Sequence, residues 1–211
     1  MKILILADRR LRSDIDNSPI KLTDAFMQGM YVASKAKKNE DLIIDKEGIE
    51  PCKGCNDCWQ SSSGKCDNIK GMHNIYQKFL NADLVIWSFP LYYYGSPSIM
   101  KAFVGIKANS AQKHVVISAG GFTTSGNDYN VVNKQFKDMY KNNFVKIICP
   151  QGELFAMPQL YERTNKYLAF VKTAAAEYLI KGSISPNLEN QLSTPLFSKE
   201  EYLKMKNNRS A

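Results

Sequence analysis

The chain has 211 residues, 44% hydrophobic and 23% charged, a globular composition that excludes bulk disorder and collagen-like fibre. A net charge of +8 and a pI near 9.1 suit an anionic ligand or a polyanion, but the lysines are scattered as on a solvated surface rather than gathered on one face. No apolar run approaches the roughly 20 residues that span a bilayer, and the opening run Ile3 to Ala7 is too short for a signal peptide, so a soluble cytoplasmic protein is expected. In that reducing compartment the five cysteines read as ligands, redox groups or core filler rather than disulfides.

In chain order, Lys2 to Ala7 reads as a short apolar strand. Pro19 to about Lys38 reads as a helix, with Leu22, Phe26, Met30 and Ala33 at helical steps. A second strand is expected at Asp41 to Asp45, then a helix over Asn68 to Asn81. A third strand at Asp83 to Phe89 is stopped by Pro90 and followed by a helix from Ser98 to Lys107. His114 to Ser118 is the fourth strand, Asp128 to Asn142 a helix, Phe144 to Cys149 the fifth strand, and Gln159 to Lys181 a long helix. The strands are aliphatic without alternation, as when helices cover both faces of a parallel sheet. The pattern predicts an α/β three-layer sandwich with a five-stranded parallel sheet of order 2-1-3-4-5.

The domain is expected to span 1–182. Gly182 to Pro186 breaks the last helix, and a polar link leads to Pro195 within a 183–211 extension. Ser198-x-x-Glu201 is a capping box, and Phe197 with Tyr202 occupy the positions of a hydrophobic staple, so a short helix is expected over Lys199 to about Asn207. Its apolar residues need a surface, either on the same subunit or on a neighbour.

In such a sheet, ligands bind beyond the carboxyl ends of the strands. Three loops lie there. The first carries Arg9, Arg10, Asn17 and Ser18 before Pro19, a helix start with basic neighbours that suits phosphate. It has neither G-x-G-x-x-G nor G-K-[ST], which disfavours a Rossmann dinucleotide site and a P-loop. The second, Pro90-Leu91-Tyr92-Tyr93-Tyr94-Gly95, offers flat aromatic faces to a planar ligand. The third, Gly120-Gly121-Phe122, lets backbone approach closely. A capped helix, an aromatic surface turn and a plain loop are the non-functional readings of the three.

Cys52, Cys55, Cys58 and Cys66 form C-x2-C-x2-C-x7-C. The spacing is not that of paired zinc knuckles, but it matches cubane iron–sulfur ligation. Free thiols and a partial redox pair are the alternatives. Cys149 ends a strand and reads as a buried hydrophobe.

Together, Ile49-Glu50-Pro51-Cys52-Lys53-Gly54-Cys55-Asn56-Asp57-Cys58-Trp59, Gly64-Lys65-Cys66, the run from Ala82 to Gly95, Met100-Lys101-Ala102-Phe103 and Gly120-Gly121-Phe122 resemble the NAD(P)H-dependent FMN reductases of the flavodoxin-like superfamily, and among them the iron–sulfur flavoproteins. Asp8-Arg9-Arg10 departs from the start of that family's phosphate loop, and Lys70-Gly71 from its acidic pair. The resemblance implies bound FMN, with Arg9, Arg10, Asn17 and Ser18 on its phosphate. Pro90, Leu91, Tyr92, Tyr93, Gly120, Gly121 and Phe122 would frame the ring and ribityl chain. It implies NADH or NADPH as co-substrate, a small-molecule or redox-protein acceptor, no catalytic side chain, and a homodimer or homotetramer whose tail helps close a neighbour's site. A 4Fe–4S cluster on Cys52, Cys55, Cys58 and Cys66 would accompany the flavin in the iron–sulfur branch. A flavin or iron–sulfur electron carrier without nicotinamide turnover is the first alternative. A basic nucleic-acid binder is the second, and the lack of a basic helix face counts against it. Neither nucleic acid nor membrane is expected as a partner.

Overall fold

A computed structural model describes residues 1–7, 18–34, 49–61, 66, 71–103, 106, 110–123, 126–141 and 143–207. Four strands, β1 (Ile3–Ala7), β2 (Leu84–Pro90), β3 (Lys113–Ala119) and β4 (Phe144–Cys149), form a parallel sheet in the order β1-β2-β3-β4. They correspond to the first, third, fourth and fifth expected strands, in the expected relative order. The second expected strand, at 41–45, lies outside the described residues, as do Arg9, Arg10 and Asn17.

Side-chain alternation divides each strand between two cores. Ile3, Ile5, Ala7, Ile86, Val115, Ile117, Ile147 and Cys149 face one core, with α1 (Ser18–Ser34) and α6 (Tyr161–Lys181) packed on it. Leu4, Leu6, Val85, Trp87, Phe89, Val116 and Ile148 face the other, covered by α3 (Met72–Asn81), α4 (Ser98–Lys101) and α5 (Asn130–Tyr140). A short helix, α2 (Asp57–Gln60), lies in the cysteine segment. Since both faces are covered, both sets of side chains must be apolar, which is why the strands read as continuous aliphatic runs.

The long helix α6 ends where Gly182 adopts φ 73° and its N–H closes on the Tyr178 carbonyl at 2.7 Å. The following segment corrects the expectation of a polar link. Pro186–Ser193 forms α7, with Pro186 at its first turn, and Leu188 and Leu192, one helical turn apart, join the first core against β4. Lys199–Asn207 forms α8, as its capping box requires. Ser198 Oγ accepts from the Glu201 N–H at 3.3 Å, and Glu201 Oε2 accepts from the Ser198 N–H at 3.0 Å and its hydroxyl at 2.8 Å. The tail docks on its own chain: Tyr202 is 1% exposed, and the Arg163 guanidinium sits over the Phe197 ring at 4.0 Å. No described helix is long and apolar enough to cross a membrane.

The second core buries His114 completely. Its Nδ1 accepts from the Trp87 indole N–H at 3.2 Å, and its ring stacks on Tyr140 with centroids 3.5 Å apart. Burial pushes the imidazole down from 6.5 to about 3. The folded state therefore binds fewer protons than the unfolded chain between those values, and stability falls as pH drops from about 6.5 toward 3. His114→Phe is expected to flatten urea-denatured stability between pH 6 and 4 by up to about 1.4 kcal/mol per pH unit.

Candidate functional site

All four strands point the same way, so Ala7, Pro90, Ala119 and Cys149 end on one edge. The chain leaving β2 makes a tight turn. Tyr92 and Gly95 exchange backbone hydrogen bonds at 3.1 and 2.9 Å, with Tyr93 at φ 46° and Tyr94 at φ 62° between them. Two positive φ values at the centre are the mark of a type I′ turn, where glycine or asparagine is the usual occupant. Two tyrosines held there are strained, and Tyr93 is 100% exposed while Tyr92 and Tyr94 are about half so. Pro90 is half-buried. The Leu91 side chain is buried in the second core and its N–H donates to the Ala119 carbonyl at 2.9 Å, which zips this loop to the end of β3.

The loop after β3 continues pairing beyond the sheet, now with the loop after β4. The Phe122 N–H donates to Pro150 at 2.7 Å, the Gly152 N–H to Gly120 at 2.9 Å, and Gly121 sits opposite Gln151 in an antiparallel bridge. Phe122 carries this loop back to the aromatic turn, its ring 5.6 Å from Tyr94 and edge-on to buried Tyr129. A Cβ on Gly120 would fall 2.8 Å from the Phe122 ring and 2.9 Å from the Tyr129 hydroxyl, so only glycine fits.

The start of α1 reaches the same place from below. A Cβ on Gly152 would lie 2.5 Å from that of Ala119 and 2.9 Å from Ser18 Oγ. Ser18 is buried, and no acidic residue occupies the first turn of the 17-residue helix α1, whose amino end carries the positive pole of the helix dipole. Thr23 fixes the helix: its hydroxyl donates to the Pro19 carbonyl at 2.8 Å and pairs with Ser88 Oγ of β2 at 2.9 Å. Lys21 donates to the Phe155 carbonyl at 2.9 Å. The structure thus brings Ser18 together with Gly120, and Leu91 to Tyr94 together with Gly120 to Phe122.

Sequence reasoning placed Tyr94 in the aromatic loop but not among the residues framing the cofactor, although it carries the contact to Phe122, and it missed the whole loop after β4. Pro150 and Gly152 directly after the last strand were the available signal for that loop.

The cysteine segment behaves differently. Cys52 and Cys55 are exposed, Cys58 and Cys66 half-buried, and among the described residues no three His, Cys, Asp or Glu side chains stand together as metal ligands. Left-handed turns at Gly54 (φ 72°) and Asn56 (φ 62°) shape the segment, and Cys52 Sγ accepts from the Gly54 N–H at 3.4 Å. Burial, and then the neighbouring Cys66, Cys52 and Cys55, push the Cys58 thiol up. Among the described residues these thiols do not form a metal-binding group, and no chemistry is routed through a 4Fe–4S cluster.

Two expectations follow from this geometry. Tyr93→Gly relieves a positive φ on a side chain without burial and is expected to raise stability by roughly 0.5–1 kcal/mol by denaturant titration. Metal-free protein treated with iodoacetamide is expected to label Cys52 and Cys55 first and Cys58 more slowly. Cys149, fully buried and pushed up by burial to about 12, is expected to label only on unfolding, as read by mass spectrometry.

The family profile described as "Flavodoxin-like fold" matches residues 22–105. No curated protein matches the sequence. Among solved structures, the chain is similar to an azoreductase from Bacillus anthracis str. Sterne, with 15% identity, a TM-score of 0.59, and coverage of 86% of this chain and 100% of the other. It is similar to an NAD(P)H:quinone oxidoreductase from Methanothermobacter marburgensis, at 13%, 0.58, and 84% and 96% coverage. It is also similar to an FMN-dependent NADH-azoreductase from Bacillus anthracis str. Ames Ancestor in complex with FMN, at 15%, 0.57, and 85% and 100% coverage. Parallel strand order, helices on both faces, profile and neighbours agree, and this chain has the flavodoxin-like fold.

Proposed function

We propose that this chain is an FMN-dependent NAD(P)H oxidoreductase that holds its flavin non-covalently at the carboxyl edge of the sheet and delivers electrons to a small-molecule or redox-protein acceptor. One observation carries the reading. A strained, exposed aromatic turn and a glycine loop are locked side by side through Tyr94 and Phe122 over a buried helix start, in the fold of an azoreductase solved with FMN.

The residues present fit such a cofactor. The positive end of α1 and Ser18, with Arg9, Arg10 and Asn17 of the preceding loop, would take the phosphate. Pro90, Leu91, Tyr92 and Tyr93 would border the ring on one side, and Gly120, Gly121 and Phe122 on the other. Bound FMN supplies hydride acceptance from a nicotinamide and onward electron transfer. The protein's part is to hold and orient: the turn at Tyr92–Gly95 presents flat faces without closing over them, and solvent access at Tyr93 leaves room for a nicotinamide and an acceptor to visit in turn. No side-chain acid or base is required. A cytoplasmic homodimer or homotetramer completes the proposal.

Anaerobic addition of NADH or NADPH to the FMN-loaded protein is expected to bleach the visible flavin bands. A bound flavin that neither nucleotide reduces would instead identify an electron carrier. Ser18→Asp places a like charge against the phosphate and is expected to weaken FMN binding at least about tenfold, with Ser18→Ala causing a smaller loss, both read by flavin fluorescence titration.

A further inference from the structure

The C-terminal helix sends two side chains, Tyr202 and Lys206, to the loops of the candidate site. The Lys206 ammonium donates to the Gly121 carbonyl at 3.0 Å, lies 3.8 Å from Glu153 Oε1, and sits 5.1 Å from the centre of the Tyr202 ring. The buried Tyr202 hydroxyl bonds to the same Glu153 oxygen. That carboxylate stands directly behind the glycine loop, since a Cβ on Gly121 would fall 3.2 to 3.4 Å from its atoms. At the other end of the segment, the Gln151 side chain clamps Phe197 both ways: its amide donates to the Phe197 carbonyl at 3.0 Å, and its carbonyl accepts the Phe197 N–H at 2.8 Å. Gly121 and Gln151 are the two partners of the bridge between the loops after β3 and β4. The tail therefore grips both halves of that bridge.

We propose that residues 196–207 are a working part of the site, with Lys206 a positioning residue that fixes the Gly121 peptide and offsets the Glu153 charge behind it. This rests on the FMN reading for the identity of the ligand. Two consequences follow. Without the ammonium, the Gly121 carbonyl loses a charged hydrogen-bond donor and the loop loosens. The Glu153 carboxylate, then less compensated, disfavours both an anionic cofactor and the added electron density of its reduced form.

The test uses the full-length protein carrying Lys206→Met, which keeps the aliphatic stem, and Lys206→Arg, which keeps the charge and donor. Amide hydrogen exchange on the flavin-free protein reads the brace directly. Residues 119–123 and 150–153 are expected to exchange about tenfold faster in Lys206→Met while α5 is unchanged, and to stay near wild type in Lys206→Arg. On the FMN-loaded protein, Lys206→Met is expected to raise the FMN dissociation constant about fivefold to tenfold and to make the flavin midpoint potential more negative, with Lys206→Arg restoring both. Unchanged exchange in Lys206→Met overturns the proposal. So does faster exchange with unaltered FMN affinity and potential, which would reduce the tail to a structural cover. A wild-type protein that binds no FMN sinks the functional reading alone, and the exchange result then decides the brace by itself.

Discussion

Helix α1 packs against α6 at Gly29. A Cβ there would lie 2.2 Å from the Lys172 carbonyl oxygen, inside any permitted contact, so α1 can lie this near α6 only because position 29 has no side chain. Both helices have consequences at the far edge of the sheet. The placement of α1 brings Ser18 under Gly152. The placement of α6 lets the Tyr167 hydroxyl reach the Leu192 carbonyl at 2.7 Å, and Arg163 the Leu196 carbonyl at 2.8 Å. One missing methyl group thus sets the height of the helix start that faces the ligand edge and anchors the tail that returns to it.

Above that frame, the site is built from two opposite uses of backbone freedom. Gly120 and Gly152 are glycines because neighbouring atoms leave no room for a side chain, which is a packing requirement that would hold with or without a ligand. Tyr93 is the reverse case. It occupies a turn position that glycine would fill with less strain, and its side chain is fully exposed. Strain without any packing return inside the chain is the pattern expected where a side chain is kept for something that visits from outside. The aromatic turn is therefore better evidence for a binding role than the glycine loop, although the glycine loop is the more familiar motif.

The sequence made the sheet legible because each strand is buried on both sides and has to be aliphatic throughout, and the helices of the long crossovers keep a strong apolar period. The capping box at Ser198 and Glu201 was legible too, since its chemistry is local and needs only three-residue spacing. Helix α7 was not. Its composition is polar apart from Leu188 and Leu192, and the reason it is ordered is a surface on β4 that no local window contains. The loop after β4 was missed for the same reason: its partner, the loop after β3, is about thirty residues away. The cysteine spacing is legible in the sequence, but spacing fixes only how far thiols can reach, whereas convergence depends on turns such as those at Gly54 and Asn56, and among the described residues the thiols do not form a metal-binding group.

The apolar residues of the tail posed the question of which surface they need. Tyr202 answers it by burying its ring on the same chain and bonding Glu153, a residue that sits against the glycine loop. A segment near the carboxyl terminus thus bonds both halves of a bridge that joins the ends of β3 and β4. Such long-range closure is costly in chain entropy and can form only after the sheet edge exists. The loops of the candidate site are then held from two directions, by α1 from below and by α8 from the side. Their contacts with α8 are few and partly exposed, which places them among the parts of the fold that open most easily. On the proposed function, a site that admits a nicotinamide and an acceptor in turn would gain from that balance: fixed enough to orient a ring, and held by contacts weak enough to yield.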